Sequence, residues 1–174
     1  WSMDKLGPMC RGVEDCAAVF DAIRGSDGKD RSVVDAPFVW RPDVDPAALR
    51  VGYIQSEFEA VTDRAEAALH TDALEVLRRL GMKPVPVSLP DYPLRAITMV
   101  LDVEAAAAFD DATRSSSLDT MVDADKSDWP GIFRRCRTVT AVEYLRAQRV
   151  RSALMQDMDR LMSDWDILVT PPWG

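Results

Sequence analysis

Few residues in this chain could act on a substrate, and they are scattered. The one histidine, His70, is the only base a Ser-His-Asp arrangement could use, and no Gly-x-Ser-x-Gly elbow accompanies it. A Cys-His pair has the same weakness. His70 reads more plainly as a boundary residue in mid-helix, one position from an apolar stripe at Leu69. Ser115, Ser116 and Ser117 beside Asp119 would form a nucleophile cluster only if a base activated them; in so polar a run they read as a solvated loop. Cys10, Cys16 and Cys136 show no Cys-x-x-Cys spacing, which points to reduced, mostly buried thiols of a cytoplasmic protein. The carboxylates lack His or Cys partners at ligand spacing, and neither an EF-hand loop nor a glycine-rich phosphate cradle is present. No metal or cofactor is expected. The one concentration of positive charge is Arg134, Arg135 and Arg137, continued by Arg146, Arg149 and Arg151. Paired with Glu143, Asp157 and neighbouring acids it is a solvated face. Turned toward a ligand, its planar forks would anchor a substrate carboxylate.

The elements that must position these residues follow from periodicity and caps. Gly12 precedes a stripe at Val13, Cys16, Ala17, Phe20 and Ile23, which predicts a helix ending at Gly25. Residues 25–49 are rich in Gly, Asp and Pro and read as a long irregular connection. A strand is expected over 50–54. A long helix follows, with Ser56 and Glu59 as its capping box and Phe58, Val61, Ala65, Leu69, Ala73, Val76, Leu77 and Leu80 as its core stripe. The strand over 83–88 carries Pro84 and Pro86 two apart, so one side lacks donors and it should lie at an edge. Strand, helix, strand gives a right-handed parallel βαβ unit. Asp91 is expected to cap a helix running to about Thr113, followed by a Ser- and Asp-rich loop and a short helix near Ile132. Thr140 and Glu143 form a second capping box, for a helix ending near Trp165. The strand over 166–170 is stopped by Pro171.

Composition bounds the partners. The chain has 174 residues, 47% hydrophobic and 29% charged, with a net charge of −8, a balance that suits a folded α/β domain. Such an acidic surface repels phosphate backbones and anionic lipid, so neither nucleic acid nor membrane is an expected partner. No apolar run approaches the roughly 20 residues of a span. The chain starts at Trp1 without an initiating methionine and reads as one partial domain, residues 1–174, with no internal boundary.

The opening carries more information than any of these features. Ser2-Met3-Asp4-Lys5-Leu6-Gly7-Pro8, then Arg11, then Val13-Glu14-Asp15, resembles the amidase signature family, which has Ser-x-Asp-x-x-Gly-Pro, Arg and Val-Glu-Asp at this spacing. The likeness continues through Ile23–Asp27, Glu104-Ala105-Ala106, Tyr144-Leu145-Arg146-Ala147 with Arg151, and Asp166–Pro171. It implies a mixed sheet flanked by helices and an amide-bond hydrolase using a serine, a second serine on a cis peptide bond and a lysine. All three would lie upstream of Ser2, so no residue here receives a catalytic role and the chain alone should be inactive. Asp4, Gly7, Pro8, Arg11, Asp15 and Tyr144 would be scaffold. The loops after Ile54 and Thr170, at the carboxyl ends of strands, would line the parent's site. The implied substrate is a small-molecule amide, and a sheet missing strands should self-associate. An A-type amidotransferase subunit, or a binding module that kept the scaffold, are the alternatives.

Overall fold

Strand β1 (Val51–Ile54) lies at the centre of a three-stranded parallel sheet. Beside it run β2 (Val85–Val87) and β3 (Ile167–Val169), in the order β2-β1-β3. This computed structural model describes residues 2–3, 5–30, 33–121 and 129–172. Gly52 faces Val85 on one side and Leu168 on the other. A Cβ at Gly52 would stand 2.6 Å from Val87 Cγ2 and 2.7 Å from Leu168 Cδ2. The close approach of these side chains therefore requires glycine there. Among the described residues β2 pairs only with β1, as its prolines predict.

The chain divides into two compact units, Met3–Val44 and Trp1–Ser2 with Asp45–Gly174. In the smaller, helix α1 (Val13–Ile23) starts at Gly12, and Glu14 and Asp15 complement its positive end. Only Ala17 of its stripe is buried; Val13 and Ile23 are 71% and 52% exposed. Phe20 meets Phe38 edge to face at 5.1 Å, and Arg24 donates to the Ala36 carbonyl, folding the irregular segment back onto the helix.

In the larger unit, the single long helix expected after β1 is two helices. α2 (Gln55–Ala60) begins directly at the strand's end, and Ser56 makes no cap. α3 (Arg64–Arg79) is capped instead by Asp63, whose carboxylate accepts from the Glu66 amide at 2.8 Å. The β-branched pair Val61-Thr62 and this Asp-x-x-Glu cap favour a break there. The covered face also differs from the expected stripe. Leu74 is buried and His70 and Leu77 are half-buried, while Leu69, Val76 and Leu80 are 68%, 43% and 54% exposed.

The helix expected from Asp91 to Thr113 is also split, into α4 (Leu94–Ala108) and α5 (Asp110–Arg114). Pro93, not Asp91, stands at the N-cap. Phe109 ends α4, and Asp110 and Asp111 favour a new helix N-terminus. α6 (Trp129–Cys136) and α7 (Ala141–Met162) follow, and both pack on α4. The Thr140–Glu143 capping box of α7 is present in both directions.

Candidate functional site

Along α4, Ile97, Val100 and Glu104 are buried on one face, and Ala106 is buried beside them. Ile97, Val100 and Glu104 are spaced at three and four, so a carboxylate occupies a position that helical periodicity assigns to an apolar side chain. Glu104 is 9% exposed, and a charge so buried needs partners. Ser2 supplies two of them: its amide donates to Oε2 at 2.9 Å and its hydroxyl to Oε1 at 2.7 Å. Tyr144 of α7 donates its hydroxyl to Oε1 at 3.1 Å, and Gln148 donates in turn to that hydroxyl at 2.8 Å. Arg151, one turn further along the same face, donates to the Ser2 hydroxyl at 2.6 Å and to the Ser2 carbonyl at 2.9 Å. Burial pushes the Glu104 carboxyl up, but hydrogen bonds outweigh it, those from the Ser2 hydroxyl and amide foremost and that from Tyr144 among the rest, and the carboxyl is held at about 2. Beside this network Val103, Ala107 and Ala108 line an open cavity of about 500 Å³ with Glu104 and Tyr144.

The arginine cluster lies round the corner of the same helix. Arg134, Arg137 and Arg114 line a cavity of about 600 Å³ with Asp110, Cys136 and Thr138. Arg114 and Arg137 share Asp110, each through Nε, at 2.5 and 2.8 Å. Arg134 pairs with Asp119. Arg135 is exposed and does not line this cavity. The acids holding Arg134 and Arg137 are thus Asp119 and Asp110, while Glu143 serves the capping box and Asp157 accepts from Tyr92 and Arg160.

The remaining candidates stay apart. Gly7, Arg11 and Asp15 are exposed; Pro8 is half-buried, with Cys16 Sγ 4.0 Å from its carbonyl. Asp4 lies outside the described residues. Cys10 is exposed, contrary to the expectation of mostly buried thiols, while Cys16 and Cys136 are half-buried. His70 sits on the covered face of α3, edge-on to Phe58 at 6.1 Å, with Nε2 3.8 Å from Glu66 and a buried Nδ1 that has no partner. Ser115 and Ser117 bond each other and the Ala112 carbonyl, closing the end of α5. A helix stands where a loop was expected after Ile54. Among the described residues there is no group of three or more His, Cys, Asp or Glu able to hold a metal, and no helix long and apolar enough to cross a membrane.

Sequence reasoning placed Ser2, Glu104, Tyr144 and Arg151 in the family pattern but did not join them. The signal was a carboxylate, Glu104, in helical register with the apolar positions Ile97 and Val100.

A family model described as Amidase matches residues 1–173. Over 98% of its length the chain is 30% identical to the A-type subunit of glutamyl-tRNA(Gln) amidotransferase from Pelobacter propionicus. It is 32% identical, over the same share, to the protein of that name from Gluconobacter oxydans. The chain spans only 40% and 39% of these curated relatives. Among solved structures, it resembles an inhibitor-bound vestigial protein complex bearing on the origins of an s-triazine catabolic enzyme. That likeness has a TM-score of 0.72 and 25% identity, over 95% of this chain and 37% of the other.

Proposed function

The chain belongs to the amidase signature family, and from that premise we propose that its parent hydrolyses amide bonds while these 174 residues hold none of the bond-making groups. The observation that carries this reading is the family match over residues 1–173, which includes the Ser-x-Asp-x-x-Gly-Pro block. The family resemblance puts serine, cis-serine and lysine upstream of that block. In the parent, a desolvated neutral lysine would take the serine proton through the bridging serine. The serine oxygen would add to the amide carbon, and ammonia or an amine would leave with a returned proton. Water would then cleave the acyl-enzyme to carboxylate. Asp4, Gly7, Pro8, Arg11, Asp15 and Tyr144 serve as scaffold in this reading.

The test is ammonia release from a panel of primary amides. These 174 residues should give no release, and a polypeptide extended upstream through a Gly/Ser-rich segment and a Lys-containing strand should give turnover. Turnover by the 174 residues alone would overturn the reading, as would an upstream reading frame without those segments. Arg134 and Arg137 would supply a carboxylate anchor in the parent, with Arg135 outside the cavity as the weakest of the three. Arg137→Gln should then raise KM for carboxylate-bearing amides and leave neutral amides unchanged; equal effects on both would remove that role.

The relatives' names favour a second reading, in which the parent is an A-type subunit working with protein partners. The apolar face of α3 at Leu69, Val76 and Leu80 supports association of some kind, through the rest of the parent, a partner or a second copy. On size exclusion the chain alone should run well above its 19.4 kDa. A stand-alone hydrolase that is monomeric and fully active would exclude the subunit reading.

A further inference from the structure

Ser2 is held at every polar atom it has. Its amide donates to Glu104 and its carbonyl accepts from Arg151, while its hydroxyl donates to Glu104 and accepts from Arg151. The two clamping residues lie 102 and 149 positions away along the chain, on helices packed against each other. Glu104 is itself braced: it is fixed in rotamer by burial and by Tyr144, and Tyr144 by Gln148. A serine needs no such investment to be satisfied, since water or one backbone group would do. What the arrangement achieves is a fixed position and direction for the backbone at Ser2. Both peptide groups flanking the residue are tied, one by a carboxylate and one by a guanidinium, and charge-assisted bonds of this kind are the strong ones.

We propose that Glu104 and Arg151 are positioning residues: through Ser2 they fix the point at which the chain leaves the catalytic segment, and so set the geometry of the serine that attacks the amide. This rests on the reading that the catalytic segment precedes Ser2. Nothing in the clamp touches substrate, so its effect must reach the chemistry through backbone placement. Catalytic geometry is sensitive to such placement, because a displacement near 1 Å can lower the rate about a hundredfold. Loss of the clamp should therefore lower kcat and leave KM nearly unchanged.

The experiment uses the parent polypeptide, with positions numbered as here, and three variants: Ser2→Ala, Glu104→Gln and the two combined. Wild-type turnover first establishes that the parent is an amidase; its absence defeats the functional reading and leaves the clamp untouched as geometry. With turnover in hand, Ser2→Ala, which removes one hydroxyl and should fold normally, is expected to lower kcat roughly tenfold. Glu104→Gln should lower it by as much or more, and the double variant no further than the worse single, because one clamp is lost once. The rate at which a fluorophosphonate labels the catalytic serine should fall in parallel, and the melting curve of each active sample gives its folded fraction. The proposal is overturned if kcat per folded molecule is unchanged in Ser2→Ala. It is equally overturned if the Ser2 and Glu104 effects multiply independently, or if the loss appears in KM alone. Should Glu104→Gln fail to fold, Arg151→Lys, which keeps the charge but loses the two-pronged grip on Ser2, takes its place against the same outcomes.

Discussion

Two carboxylates in this chain are pulled to about the same pKa by different means, Glu104 on α4 and Asp166 just before β3. Both are held at about 2, and both join segments more than a hundred residues apart. Asp166 is lowered first by the Arg50 side chain and then by the Arg50 amide, at 2.8 Å for the closest contacts. Its side chain remains 37% exposed and that of Arg50 53%. Glu104 starts from an opposing push, burial, and reaches the same value through hydrogen bonds among which those from Ser2 come first. Equal shifts therefore do not mean equal structural weight. Around Asp166, water and salt can replace what the protein provides. Around Glu104, which is 9% exposed, loss of the charge leaves buried donors short of an acceptor.

The largest expected effect tests the buried side of that comparison. Glu104→Ala removes the acceptor for the Ser2 amide and hydroxyl and for Tyr144. A loss of about 3 kcal/mol is expected, read from urea midpoints of the polypeptide carrying these residues. A loss below about 1 kcal/mol would mean that water replaces the network and that Glu104 resembles Asp166 after all.

Next in size is a test of what holds the Asp166 region. If apolar packing rather than the ion pair fixes β3 against β1, Gly52→Val should cost about 2 kcal/mol. The added carbon would meet Val87, Leu168 and Trp165 at 2.6, 2.7 and 3.2 Å. Chemical unfolding measures this directly. A neutral result would show that the strands separate cheaply, leaving the ion pair as their main tie.

The same contrast separates what the sequence reveals from what it hides. β1, β2, β3 and the capped start of α7 were legible because their causes are local: alternating apolar runs, prolines at an edge, and a Thr-x-x-Glu box. The break between α2 and α3 was local too, but Ser56-x-x-Glu59 and Asp63-x-x-Glu66 offer competing caps, and only the second forms. The face of α3 misled for another reason. That helix is apolar on more than one side, and periodicity cannot say which side is covered. Within these residues it is the side of His70 and Leu74. The amidase pattern was readable from the Ser-x-Asp-x-x-Gly-Pro spacing, whereas the grip of Glu104 and Arg151 on Ser2 was not. Pairings across 102 and 149 residues leave no local trace except a charge in an apolar run.

Acid should separate the two carboxylates further. Glu104 has an ordinary value of 4.5 and a folded value of about 2. Between those values the unfolded chain takes up the proton first, so stability rises with pH in that window. The Glu104 contribution is complete above pH 4.5 and is lost as the pH falls to about 2. Asp166 behaves in the same sense but starts lower, from 3.8. Urea midpoints of wild type minus Glu104→Gln should therefore begin to converge at pH 4.5, and those of wild type minus Asp166→Asn only below 3.8. Coincident onsets would remove the distinction.

The smallest effect is that of Asp166→Asn at neutral pH. The pair is exposed on both sides, and the screening length shrinks to about 3 Å in 1 M salt. At low ionic strength the variant should melt slightly below wild type, and in 1 M sodium chloride the two curves should superimpose. Asparagine still accepts from the Arg50 amide, so the turn into β3 survives and only the charge is lost. Salt should leave the deficit of Glu104→Gln unchanged, because ions do not enter a site 9% exposed. A salt-resistant loss in Asp166→Asn matching that of Glu104→Gln would place the two carboxylates in one class, and the burial argument would fail with it.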